Sequence, residues 1–117
     1  MSGQRSYHAG LGAERAVERH YAEGGRVIAA RRWRGRGGEI DLIAREGGRV
    51  VFIEVKHSRT HAQAAERLSA RQMARIYASA AEFLGGEPAG ELTETRFDVA
   101  LVDGLGRIEV IENAFAA

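Results

Sequence analysis

Cysteine is absent from the 117 residues, proline and lysine occur once each, and no apolar run is long enough to cross a bilayer as a helix. Without thiols there is no disulfide and no thiolate zinc site, which leaves carboxylates, histidines and backbone oxygens as metal ligands. A cation held by such donors is a hard one, magnesium or manganese. The N-terminus has no charged-then-apolar leader, so the expectation is a soluble, cytoplasmic protein without a membrane partner. At this length the chain fits one domain, residues 1–117, able to bury a modest core unaided.

The net charge of +1 carries little information, but its distribution does. Residues 1–37 hold eight arginines against three glutamates, and residues 57–81 hold four arginines against Glu66. Residues 82–117 reverse the sign, with eight acids against Arg96 and Arg107. A basic side able to face phosphates and an acidic edge elsewhere follow from that division.

Leu11–Glu23 places Leu11, Ala13, Ala16, Val17 and Tyr21 near one helical face, and Gly24-Gly25 ends it. Arg26–Arg34 has the short apolar centre of a strand, and Gly35-Arg36-Gly37-Gly38 reads as a flexible loop. Glu39–Arg45 and Arg49–Lys56 are strands rich in Ile, Leu, Val and Phe, joined by Glu46-Gly47-Gly48 as a hairpin. His57–His61 reads as a loop and Ala64–Leu84 as the longest helix, closed by Gly85-Gly86. Two strands follow, Arg96–Val102 and Arg107–Ile111. The order α-β-β-β-α-β-β predicts one mixed α/β domain, a sheet flanked by helices.

Strand side chains alternate, so Glu39 and Asp41 share a side of one strand, and Glu54 and Lys56 share a side of the next. A suitable hairpin register brings Asp41 near Glu54 and Lys56. Acids on strands this apolar must be solvated, paired or bound to a cation. Magnesium suits Asp41, Glu54 and the carbonyl of Val55, with open positions for phosphate and water, and Lys56 can then steady charge on the phosphate. These are the parts for phosphodiester hydrolysis. The same spacing equally fits an outward Glu-Lys pair on an edge strand, with Asp41 in a surface salt bridge.

Gly38-Glu39-Ile40-Asp41-Leu42-Ile43 followed by Val51-Phe52-Ile53-Glu54-Val55-Lys56 resembles the PD-(D/E)XK nuclease signature. Gly12-Ala13-Glu14, Ala16, Arg96-Phe97-Asp98-Val99 and Asn113-Ala114-Phe115 extend the likeness to the YraN family of bacterial proteins, over roughly residues 10–115. The resemblance implies a three-layer restriction endonuclease-like core similar to archaeal Holliday junction resolvases. It implies Asp41 and Glu54 as metal ligands, Lys56 as catalytic lysine, Glu14 as an additional acid and Gln72 as a supporting residue. It also implies DNA, branched or single-stranded, as substrate, and by analogy a homodimer. Ile40 replaces the signature proline, Trp33 stands where the family tends to carry Asn, and Arg71-Gln72 where it tends to carry Lys. Two rivals remain open: a nucleic-acid-binding module that has lost turnover, and a protein-interaction domain using the acidic tail.

Arg31, Arg32, Trp33, Arg34 and Arg36 combine cations and an aromatic surface before the acidic strand, suiting a substrate-facing loop in which Trp33 stacks on a base. Trp33 packed as a core edge fits as well. Arg59, Arg67, Arg71 and Arg75 extend the basic surface or simply line a solvated helix. Asp98 reads as a structural partner of arginine, and Glu39 as either a site residue or a strand entrance. His57 and His61 lack a third convergent donor, which disfavours zinc. His8 and His20 belong to no cluster.

Overall fold

Two apolar layers, one on each face of a single sheet, account for where the helices sit. A computed structural model describes residues 3–115, with side chains from residue 10; His8 falls outside the described side chains. The elements are α1 (Gly3–Glu23), β1 (Val27–Gly35), β2 (Gly38–Glu46), β3 (Arg49–His57), α2 (His61–Glu66), α3 (Ala70–Leu84), β4 (Thr95–Val102) and β5 (Ile108–Ile111). A single 3₁₀ turn, Gly90–Leu92, precedes β4. The sheet order is β1-β2-β3-β4-β5, antiparallel except for the parallel β3–β4 pair, whose crossover contains α2 and α3. The expected α/β class and mixed, helix-flanked sheet are those observed.

Burial on both faces explains why β3 carries no polar alternation over Val50-Val51-Phe52-Ile53, each at most 1% exposed. Val51 and Ile53 join Leu42, Ala44, Ala100 and Val102 beneath Ala13, Val17 and Tyr21 of α1. Val50 and Phe52 join Ile43, Phe97, Val99 and Leu101 beneath Ile76, Ala80 and Leu84 of α3. The hairpin is the expected one: Glu46 pairs with Arg49, and Gly47 takes φ +61°, a region costly for a side chain.

Two expectations change. The helix expected over Ala64–Leu84 is interrupted between Glu66 and Ala70, because Ser69 caps a new helix by accepting from the Gln72 N–H at 3.1 Å. Thr60 caps α2 in the same way through the Gln63 N–H, also at 3.1 Å, so the loop expected over His57–His61 shortens. Gly35–Gly38 is an anchored turn. Ser79 Oγ donates to the Gly38 carbonyl at 2.8 Å, Glu82 accepts from the Arg36 N–H at 2.8 Å, and a Cβ on Gly37 would collide with the Arg75 carbonyl. Glycine is needed there for close approach, and flexibility is not the reason.

Candidate active site

The β2–β3 ladder runs from the turn to Leu42 opposite Ile53, while β3 continues alongside β4 as far as His57 opposite Val102. Past Leu42, Asp41 inserts its carboxylate towards β3 and accepts from the Val55 N–H at 2.8 Å. The expected meeting of Asp41 with the β3 pair is therefore made partly through backbone. A fork between two strands is a place where a side chain can take up a ladder donor.

Glu54 lies at the base of this fork and is 5% exposed. Its Oε2 accepts from Gln72 Nε2 of α3 and lies 3.0 Å from Lys56 Nζ. Its Oε1 is buried and meets no N–H or hydroxyl donor among the described residues, and the Asp41 carboxyl, when protonated, hydrogen-bonds to Glu54. A buried carboxylate oxygen without a donor is costly, and beside a second carboxylate either a shared proton or a bound cation relieves it. Lys56, 14% exposed along its side chain, supplies one positive charge against two carboxylates. Burial, then the Glu54 charge, pushes the Asp41 carboxyl up to about 7, against the opposing Val55 N–H and Lys56.

Asp41, Glu54 and Gln72 line a cleft of about 260 Å³, together with Glu39 and Arg75. Arg75, expected only as part of a basic surface along the helix, reaches the cleft because the three-residue step from Gln72 puts both on one flank of α3. Glu14 reaches Arg32 instead, 3.0 Å away, in a separate groove of about 480 Å³ between α1 and β1. Burial, followed by the Asp41 charge, raises the Glu14 carboxyl, so the two acids are electrostatically linked although they line different clefts.

Of the arginines expected on a substrate loop, Arg31, Arg32 and Arg34 lie on β1 and are tied down. Arg31 is 2.6 Å from Glu18, Arg32 pairs with Glu14, and Arg34 is 3.2 Å from Glu39, which also lines the cleft. Trp33 packs edge-on to Phe83 at a centroid separation of 5.5 Å, which is the core-edge alternative rather than an open stacking platform. Arg36, Arg59 and Arg71 are exposed and make no ion pair among the described residues. Asp98 is fully buried and paired to Arg96 at 2.8 Å, the structural role expected of it. His57 closes β3 and His61 opens α2. Among the described residues no three His, Cys, Asp or Glu side chains form a metal-holding group. A cation here would depend on two carboxylates and backbone, as the sequence reading has it.

The raised Asp41 carboxyl makes a measurable prediction for the protein in chelator. A group whose folded pKa exceeds its unfolded value adds stability that is fully present below the unfolded pKa, roughly 4, and is lost as pH rises through about 7. Asp41→Asn, which keeps an acceptor for Val55, should stabilise the fold by roughly 1–3 kcal/mol at pH 8 and far less at pH 5. Urea unfolding at both values checks it; an equal effect at the two would mean the carboxyl is unperturbed.

Fold and site together define an α/β protein whose mixed sheet holds a carboxylate–lysine cluster where its second and third strands part. The model of the uncharacterised protein family UPF0102 matches residues 13–102, and the chain belongs to that family, the one indicated by the YraN likeness. A UPF0102 protein of Cereibacter sphaeroides strain KD131 is 70% identical over 117 residues, the whole of both chains. One from Ruegeria pomeroyi is 62% identical over 113 residues, covering 97% of this chain and 92% of the relative. One from Dinoroseobacter shibae is 47% identical over 111 residues, covering 95% and 83%. No helix of the described residues is long and apolar enough to cross a membrane.

Proposed function

We propose that the protein is a metal-dependent endonuclease that hydrolyses DNA phosphodiesters, with a restriction endonuclease-like core. The observation that carries this reading is the gathering of Asp41, Lys56 and Gln72 about the buried Glu54 carboxylate, with Lys56 and Gln72 on its Oε2 and no N–H or hydroxyl donor on its Oε1 among the described residues. The donors are hard oxygens, so magnesium or manganese fits, held by Asp41, Glu54 and the Val55 carbonyl. Such an ion supplies charge neutralisation at phosphate and a more acidic bound water.

The remaining chemistry belongs to the chain. Gln72 fixes the orientation of Glu54 by occupying Oε2, leaving Oε1 directed elsewhere. Lys56 is held at the same oxygen, where its ammonium can donate to charge building on a phosphate oxygen. Asp41 must shed its proton to act as a ligand, so metal binding competes with that proton and strengthens as pH rises. The likeness of the two strands to the PD-(D/E)XK signature selects DNA among phosphodiesters.

The test is a cleavage assay with magnesium or manganese on linear, nicked, flapped and four-way DNA. Wild-type protein should cut at least one of these, EDTA should stop it, and Asp41→Ala should fall to background. Wild-type activity matched by Asp41→Ala on every substrate would remove the catalytic claim and leave a nucleic-acid-binding module.

A further inference from the structure

Arginine is abundant in this chain, and the structure sorts it by partner. Arg26, Arg31, Arg32, Arg34, Arg45, Arg49, Arg96 and Arg107 each have a carboxylate within ion-pair distance. Arg36, Arg71 and Arg75 have none among the described residues and are exposed; Arg15, Arg19, Arg59 and Arg67 also have none, but they neither line the cleft of Asp41 and Glu54 nor adjoin a residue that does. Arg75 connects the other two, Arg71 along α3 and Arg36 through its turn. Arg71 and Arg75 are four apart on α3, where like charges repel, and no acid stands between them to relieve it. Arg36 belongs to the turn whose Gly37 rests on the Arg75 carbonyl. Arg75 lines the cleft of Asp41 and Glu54, and Arg71 precedes the glutamine bonded to Glu54.

We infer that the nucleic-acid backbone is held on the α3 side of the cleft, by Arg36, Arg71 and Arg75, and that the β1 arginines play no direct part. This rests on the nuclease reading for the identity of the polyanion. The physical argument is one of availability. An arginine already bonded to a carboxylate must break that bond to meet a phosphate, whereas an unpaired one gives up only water and gains a charge-assisted, bidentate contact. A phosphate also removes the repulsion between Arg71 and Arg75. The rim borders the acidic cleft on the side where Gln72 and Arg75 face it, so a strand held there passes the carboxylates. Arg31 and Arg32, by contrast, line the other groove, together with Arg15, Arg19, Glu14 and Glu18 and away from Asp41 and Glu54.

The experiment compares Arg71→Gln/Arg75→Gln with Arg31→Gln/Arg34→Gln in the full chain. Binding of a fluorescein-labelled duplex and of a four-way junction is followed by anisotropy in calcium across a salt series. The α3 pair should bind about tenfold more weakly, and the slope of log K against log salt should fall by about 2, since each lost phosphate contact removes about 0.9. The β1 pair should stay within about threefold and keep its slope. Arg36→Gln, on the turn, tests the same rim without touching a helix and should lower the slope by about 1. Equal weakening by the β1 pair, or an unchanged slope in both α3 and Arg36 variants, overturns the inference. DNA bound through α3 but never cut sinks the nuclease reading alone; normal cutting with an unaffected α3 pair sinks this one alone.

Discussion

Lys56→Arg should cut the cleavage rate by at least about 10²-fold while DNA binding and the folded state are kept. The charge survives this substitution, so any loss has to come from shape. Lys56 occupies a tight position, with its Nζ 3.0 Å from Glu54 Oε2 and its side chain only 14% exposed. Gln72 shares that oxygen from α3. A guanidinium is larger and planar and presents its donors as a fixed fork, so it must either displace Gln72 or swing out towards solvent. In the first case Glu54 loses its orientation; in the second the phosphate loses its donor. Removing one preorganised donor from a charge-stabilising site costs about 10²–10³ in rate, which sets the expected scale. Single-turnover cleavage at saturating manganese measures the effect, with anisotropy on the same DNA as the control. A rate within about threefold of wild type would make Lys56 a generic charge.

The strands of the site were legible because burial on both faces writes an unbroken apolar run, and the two acids and the lysine interrupt it at visible places. The Gly47-Gly48 turn then fixed which strands are neighbours. What could not be read is the point at which β2 and β3 part, since β2 continues through Asp41 to Gly38 as a strand paired with β1 after its ladder with β3 ends at Leu42. That parting is why Asp41 meets the Val55 N–H. The break before α3 was written in Ser69, but Leu68 and Ile76 continue an apolar spacing that hides it. Partner choice was the least legible quantity. Arg31 and Glu18 are 13 residues apart and Arg45 and Glu87 are 42 apart, so which arginines remain free is a property of the packed structure alone. Trp33 illustrates the same limit. Its surroundings suggested a loop, yet Phe83, fifty positions on, turns it into a wall of the core.

Asp98→Ala should lower the unfolding free energy by about 3–5 kcal/mol, the scale for breaking a buried ion pair from one side. Asp98 is fully buried, and four donors meet it. Arg96 donates to its two oxygens at 2.8 and 2.9 Å, the Tyr21 hydroxyl at 2.7 Å and the Asn113 N–H at 3.1 Å. Through these bonds one side chain of β4 fastens α1 and the C-terminal segment to the sheet. Burial, with Asp98 as acceptor, holds the Tyr21 hydroxyl far above its usual pKa, so it stays a donor. Alanine would strand a buried hydroxyl and leave Arg96 with only Glu46 at 3.2 Å and Glu112 at 3.6 Å. Tyr21→Phe removes one donor and leaves the carboxylate three others, so it should cost only about 1 kcal/mol. The two changes share a bond, and a double-mutant cycle in urea should return a coupling of about 1 kcal/mol or more. Additive effects, or an Asp98→Ala loss below about 1 kcal/mol, would mean Arg96 finds adequate partners without it. Tyr21 and the α1 layer lie on the opposite face from Gln72 and α3. Cleavage per folded molecule should therefore survive Asp98→Ala, which separates the acid that holds the sheet together from the acids proposed to work at its fork.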